Sequence, residues 1–134
     1  MKNSDSVIQF EKYFLDEVFF EIKDEEYIEN SIDINPKFSV DFDDCIAKIK
    51  LEFCIEEDLF YLKGSLIGVF SFEETQEEDK ISELLVINGV TILFPYLRSA
   101  ISAISNAVNV PTIIIPTINV IEYLQNKYEE NITE

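Results

Sequence analysis

The run from Cys45 to Ile55 constrains the fold more than any other segment. Cys45, Ala47, Ile49, Leu51, Phe53 and Ile55 are apolar, with Lys48, Lys50 and Glu52 between them. Period-two alternation of this length predicts a strand with one face in a core and the other in water. Such a strand needs neighbours along its edges and a cover for its apolar face. Asp43-Asp44 before it reads as a tight turn, and Glu56-Glu57-Asp58 turns the chain after it.

The neighbours are legible. Upstream, Phe38, Val40 and Phe42 share one phase over Lys37 to Asp41. Downstream, Phe60, Leu62, Leu66, Phe70 and Phe72 keep phase, interrupted by Gly64 and Gly68. Glycine inside a strand marks a bulge or a close backbone approach. Earlier still, Val18, Phe20 and Ile22 alternate with Glu17, Glu21 and Lys23, with Phe19 as the exception. Residues 24–36, ending at Pro36, read as a long connection, and residues 1–12 as a flexible arm. Four strands with short turns after the first predict an antiparallel meander, packed on one face.

The pattern then becomes helical. Thr75 followed by Glu78 is a capping-box spacing, and Glu77, Glu78 and Asp79 suit the positive end of a helix. Ile81, Leu84 and Leu85 give this short helix an apolar side, and Asn88-Gly89 is expected to end it. A long helix follows from Leu93, with Pro95 in its first turn, where a missing N–H costs little. Leu93, Leu97, Ile101, Ile104 and Val108 form its apolar stripe. Its other side carries Ser99, Ala100, Ser102, Ala103, Ser105 and Ala107, small enough for another helix to approach closely. Pro111 to Pro116 reads as extended. Asn119 followed by Glu122 opens a short C-terminal helix through Ile121, Leu124 and Tyr128, and residues 129–134 form an acidic tail. The expectation is one domain over 1–134. Its class is α+β: a four-stranded antiparallel β-meander with a short, a long and a short C-terminal helix packed on one side.

Composition excludes several activities. A formal net charge of −17 over 134 residues repels nucleic-acid backbones and anionic membrane surfaces. There is no His, and Arg98 is the only Arg. A Cys nucleophile would lack its usual His base, no Cys pair has zinc spacing, and no glycine-rich phosphate loop is present. The expectation is a protein that is not an enzyme and needs neither cofactor nor metal. Cys45 and Cys54 read as opposite faces of one strand, about 30 Å apart at ~3.3 Å per residue, too far to bridge. The first residues hold no signal-peptide core, and no later run reaches about 18 uncharged apolar residues without a Pro or polar break. A cytoplasmic protein without direct membrane insertion is expected.

Several strings resemble one family. Gly68-Val69-Phe70-Ser71-Phe72 closes the last strand, and Leu93-Phe94-Pro95-Tyr96 opens the long helix. Pro111 through Pro116 leads to Asn119, and Phe38-x-Val40-x-Phe42 precedes Asp43. Together they are similar to the SecB family of export chaperones over about residues 13–128. The resemblance implies an α+β fold and a homotetramer, a dimer of dimers with long helices between the dimers. It implies a cofactor-free holdase that binds unfolded preproteins and delivers them to the SecA motor. A variant of the family keeps the antitoxin of a toxin–antitoxin system. On that resemblance Phe38, Val40, Phe42, Tyr61, Val120, Tyr123 and Leu124 are client-binding positions. Glu17 and Glu21 are docking positions for a SecA-like partner. Leu97, Ala100, Ile101, Ile104 and Ala107 form the oligomer interface. The chain departs from the family at Lys63, which reverses an acidic position, and in its short acidic tail. Two other classes stand beside this one. An acidic inhibitor or nucleic-acid mimic would form a salt-sensitive complex with one basic protein. A small-ligand or enzyme domain would show an enclosed pocket with convergent polar groups.

Overall fold

The computed structural model describes residues 7–23, 30–57, 59–74 and 77–108. Four antiparallel strands, β1 (Ile8–Ile22), β2 (Ser31–Asp41), β3 (Ile46–Glu56) and β4 (Phe60–Phe72), precede α1 (Glu78–Leu84), a π turn (Leu85–Gly89) and α2 (Val90–Ala107). The sheet order is β1-β4-β3-β2. Strands β2, β3 and β4 form the expected meander, but β1 pairs with β4, which gives a Greek-key order. β4 suits that central place because it is apolar on both faces: Leu66 and Phe70 are buried under the helices and Val69 is buried on the opposite face.

Both outer strands are longer than alternation suggested. β2 starts at Ser31 and runs through Pro36, where a connection was expected. It lies at the sheet edge, where a missing N–H is tolerated. Ile32 and Ile34 continue the phase of Phe38 and Val40. β1 starts at Ile8, so residues 8–12 are paired strand rather than arm. Its register shifts twice, between Phe10 and Lys12 and between Leu15 and Glu17. Each β-bulge inserts one residue, Glu11 or Asp16, and reverses which side-chain parity faces the core. As a result Ile8, Phe10, Tyr13, Leu15, Val18, Phe20 and Ile22 all share the helix-covered face. The Ser71 hydroxyl donates to Glu11 Oε1 at 2.6 Å, and the Ser65 hydroxyl donates to Asp16 Oδ2 at 3.4 Å. The hydroxyls thus hold both inserted carboxylates on the opposite, open face.

The turn into β3 is the expected one. Asp41 Oδ1 accepts from the Asp43 and Asp44 amides at 3.0 and 3.1 Å. Cys45 ends this turn at φ 56, outside the strand rather than on it. Cys45 and Cys54 are both free thiols.

The two expected helices are one. Glu78–Ala107 is continuous, and Gly89 has helical φ −62 and ψ −46 instead of a terminating conformation. Glu77 is the N-cap and makes no side-chain cap bond, while Thr75 lies outside the described residues. Ile81, Leu85, Gly89, Leu93, Leu97, Ile101 and Ser105 are all buried, a spacing of four throughout. At 3.6 residues per turn that spacing drifts round an α-helix. The wider i→i+5 turn at Leu85–Gly89 offsets part of the drift and keeps the stripe on the sheet. Pro95 therefore lies inside the helix, not in its first turn.

Helix and sheet meet closely at two glycines. A Cβ on Gly89 would collide with Ile49 Cδ1, and one on Gly68 would collide with the Leu93 side chain. Joined in this way, Glu78–Ala107 is long and apolar enough, by length and composition, to cross a membrane, which no run in the sequence had suggested. Its apolar stripe is instead buried with Ile49, Leu51, Leu66 and Phe70 in one core.

Candidate functional site

The helices cover only the middle of their face of the sheet. On the β1 flank Tyr13 (43% exposed), Leu15, Val18 and Ile22 (63% exposed) remain open. Tyr96 packs over the upper part of this flank, its ring 4.5 Å from Tyr13 and 5.3 Å from Phe10. On the β2 flank Ile32 and Phe38 (39% exposed) are open, beside half-buried Val40. Phe42 follows in the turn, 5.8 Å from the Phe72 ring. Phe38, Val40 and Phe42 are therefore brought together along one margin of the helix-covered face.

Tyr61 does not join them. It lies opposite Glu21 and Glu56 on the open face, separated from Phe38 by the thickness of the sheet. There the Cys54 thiol donates to its hydroxyl at 3.5 Å. The hydrogen bond with Cys54, partial desolvation and the charges of Cys54 and Glu56 push the Tyr61 hydroxyl up to about 12. Its ring has Lys23 at 5.0 Å and Lys63 at 6.0 Å, and Phe19 meets it edge-on at 6.2 Å. Val120, Tyr123 and Leu124 lie outside the described residues.

Glu17 and Glu21 do share the open face, opposite Ser65 and Tyr61. Lys63 stands between them, opposite Phe19, with its ammonium 5.4 Å from that ring. A pocket of about 210 Å³ opens beside Glu17, Asp33, Glu52, Lys63 and Ser65. Among the described residues no three His, Cys, Asp or Glu side chains are placed to hold a metal ion.

The expected oligomer interface divides. Leu97 and Ile101 are 0% exposed in the core of their own chain, so they cannot reach a partner. Ala100 and Ile104 are half-buried, and Ala107 is exposed. The outward surface of α2 is Ile92, Tyr96, Ser99, Ala103 and Ala107. Ser105, expected outside, is buried and donates to the Ser102 carbonyl at 2.8 Å. Sequence reasoning missed Ile32, Tyr13 and Tyr96 as surface aromatics and aliphatics. Ile32 carried a signal, since it is in phase with Phe38 across Pro36.

Comparison with known proteins agrees with this architecture. A family model described as SecB, preprotein translocase subunit, matches residues 1–131. A protein-export protein SecB of Anaplasma phagocytophilum is 28% identical over 87 residues, 63% of this chain and 55% of that protein. An uncharacterized protein of Methanocaldococcus jannaschii is 44% identical over 62 residues, 45% of this chain and 40% of that protein. These matches span about half the length of the curated relatives. A SecB-like chaperone of Mycobacterium tuberculosis, solved in complex with a ChAD peptide from the HigA1 antitoxin, has a TM-score of 0.71 at 10% identity. That match covers 84% of this chain and 91% of that one. A protein of unknown function from Streptococcus agalactiae has a TM-score of 0.54 at 14% identity, over 82% and 97% of the two chains. The structural likenesses share the fold, and the family model runs through nearly every residue: this chain belongs to the SecB family.

Proposed function

We propose that the chain is an ATP-independent holdase that binds non-native polypeptides along the apolar margins beside its helix. The supporting observation is the uncovered pair of flanks: large side chains of β1 and β2 lie on the core-facing side of the sheet yet remain about two-fifths or more exposed. Unfolded clients have apolar side chains and free backbone in common, not a sequence. Shallow contacts bind each segment weakly, and a long client gains avidity by occupying several. Aromatic side chains suit this work because they offer area with few rotors to freeze. The action needs no catalytic group and no cofactor.

In this reading the chain assembles as a homotetramer, with Ser99, Ala103 and Ala107 letting helices of different copies approach. It works in the cytoplasm on preproteins awaiting export, and Glu17 and Glu21 dock a SecA-like partner. A second reading is favoured by the antitoxin peptide in the M. tuberculosis relative and by Lys63 between the two docking glutamates: a chaperone dedicated to an antitoxin.

The test is suppression of client aggregation by the purified protein without nucleotide. Phe38→Ser should weaken protection severalfold while leaving thermal unfolding nearly unchanged, because Phe38 is only partly buried. Absence of protection across several clients would sink the holdase reading. Capture of SecA with presecretory chains, against capture of one antitoxin, separates the two duties.

A further inference from the structure

The helix that covers the sheet is unevenly anchored. From the π turn onward it commits Leu85, Val90, Leu93, Phe94, Leu97 and Ile101 to the core. Ahead of that stretch, α1 commits Ile81 alone. Leu84 is half-buried, and Glu78, Asp79, Lys80, Ser82 and Glu83 are exposed. A helix of 7 residues is too short to hold itself together in water and depends on what it packs against. Glu77 has the extended dihedrals of an N-cap, φ −70 and ψ 137, but its side chain makes no cap bond, which the first turn's orphan N–H groups would need. The joint to the rest of the helix is the π turn Leu85–Gly89. Its far end is fixed on the sheet, where Gly89 meets Ile49, and a change from α to π geometry is a place where a helix can bend. What α1 covers follows from the helix direction. Leu93 lies against Gly68, and Gly89 lies near Phe70, so the helix runs antiparallel to β4, four helix residues for two of the strand. The same spacing carries Leu85 toward Phe72 and Ile81 past it. At that end of the sheet the Phe42 and Phe72 rings meet at 5.8 Å, and both are half-buried against the core. They are the covered continuation of the margin that Ile32 and Phe38 leave open.

We propose that α1 is a displaceable cap on this end of the margin, hinged at the π turn. With α1 docked, Phe42 and Phe72 are withheld. An apolar client segment lying along Phe38 competes with Ile81 for them, and α1 gives way because one side chain holds it. The free protein thus keeps part of its apolar surface covered, and the client uncovers it. The cap acts on the client margin and so rests on the holdase reading. Docking of α1 and binding of a client at this end exclude each other, so each weakens the other by the same factor.

The experiment is hydrogen exchange of the full chain, alone and saturated with a permanently unfolded client, reduced and carbamidomethylated ribonuclease A. The amides of α1 should exchange roughly fivefold faster or more when the client is bound, while those of α2 keep their protection. Two substitutions at exposed positions, outside core and margin, shift the cap in opposite directions. Glu77→Ser supplies the missing cap bond; it should slow α1 exchange in the free chain and weaken client binding severalfold. Ser82→Gly weakens α1; it should speed α1 exchange and tighten client binding. Glu77→Gln removes the same charge without supplying a cap and should leave client affinity near that of the wild type. Client binding with α1 exchange unchanged or slowed would overturn the cap alone, as would Glu77→Ser and Ser82→Gly moving client affinity in the same direction. A wild-type chain that binds no client would overturn the holdase reading and the cap together.

Discussion

Gly89→Ala sets two known effects against each other, and the structure decides between them. In an exposed helix this change stabilises by about 1 kcal/mol, because alanine is the better helix former. Here the new methyl points at Ile49 Cδ1 and also has Leu85 Cδ2 at 3.6 Å and Phe70 Cζ at 3.7 Å. Ile49 and Phe70 are 0% exposed, so Ile49 has no open space to move into. Overpacking a core costs about 1–3 kcal/mol. The expected net loss is up to about 2 kcal/mol. Ile49→Val removes the Cδ1 atom itself and costs about 1 kcal/mol alone. In the double variant the alanine methyl occupies the vacated space, so the two losses do not add. The double variant should be at least as stable as Ile49→Val alone, a coupling of about 1–3 kcal/mol from the relieved overpacking. Urea unfolding followed by circular dichroism, at one fixed protein concentration, measures all four species. Increased stability in Gly89→Ala, or simple additivity in the double variant, would refute the claim that Gly89 is kept for helix–sheet approach.

Tyr61, ordinarily near 10 and here pushed up to about 12, should give a late step near pH 12 in an ultraviolet absorbance titration, and Tyr61→Phe should remove that step. Because its folded value is raised, the associated stability is intact below pH 10 and is lost as pH rises toward 12; a titration curve that Tyr61→Phe leaves unchanged near pH 12 would contradict this. Cys45→Gly should stabilise by up to about 1 kcal/mol, since Cys45 holds a left-handed φ of 56 that penalises a Cβ. Cys45→Val should do the reverse, and equal melting shifts in the two variants would refute the strain. Deleting Asp16 removes one bulge and should either turn Leu15, Tyr13 and Phe10 out of the helix-covered face or unpair the first half of β1. Wild-type melting and wild-type exchange protection of Phe10 to Leu15 would refute the bulge assignment.

That deletion also shows why the sequence was legible in some places and not in others. β3 and β4 sit at the centre of the sheet, and their core-facing phase never slips: β3 alternates without a break, and only Gly64 and Gly68 interrupt the apolar phase of β4. β1 has the same requirement but meets it through two bulges. The parity runs even from Ile8 to Phe10, odd from Tyr13 to Leu15 and even again from Val18 to Ile22, so a single-phase reading finds only the last section. Phe19 looked exceptional for a related reason: it belongs to the open face, over Tyr61 and Lys63. Pro36 hid the first half of β2, because proline argues against a strand unless the strand is an edge, and edge position is a tertiary fact. The helix was misdivided at Asn88-Gly89 because a glycine needed for close approach to Ile49 has the same one-letter signature as a glycine that ends a helix. The site shows the same limit. Phe38, Val40 and Phe42 are local neighbours and fell together as expected. Tyr61 was separated from them by one residue of strand parity, and Leu97 and Ile101 were assigned to a partner although the chain's own sheet uses them completely. Local periodicity shows which residues share a face; only the packing of the helix on the sheet determines whether that face is left for another molecule.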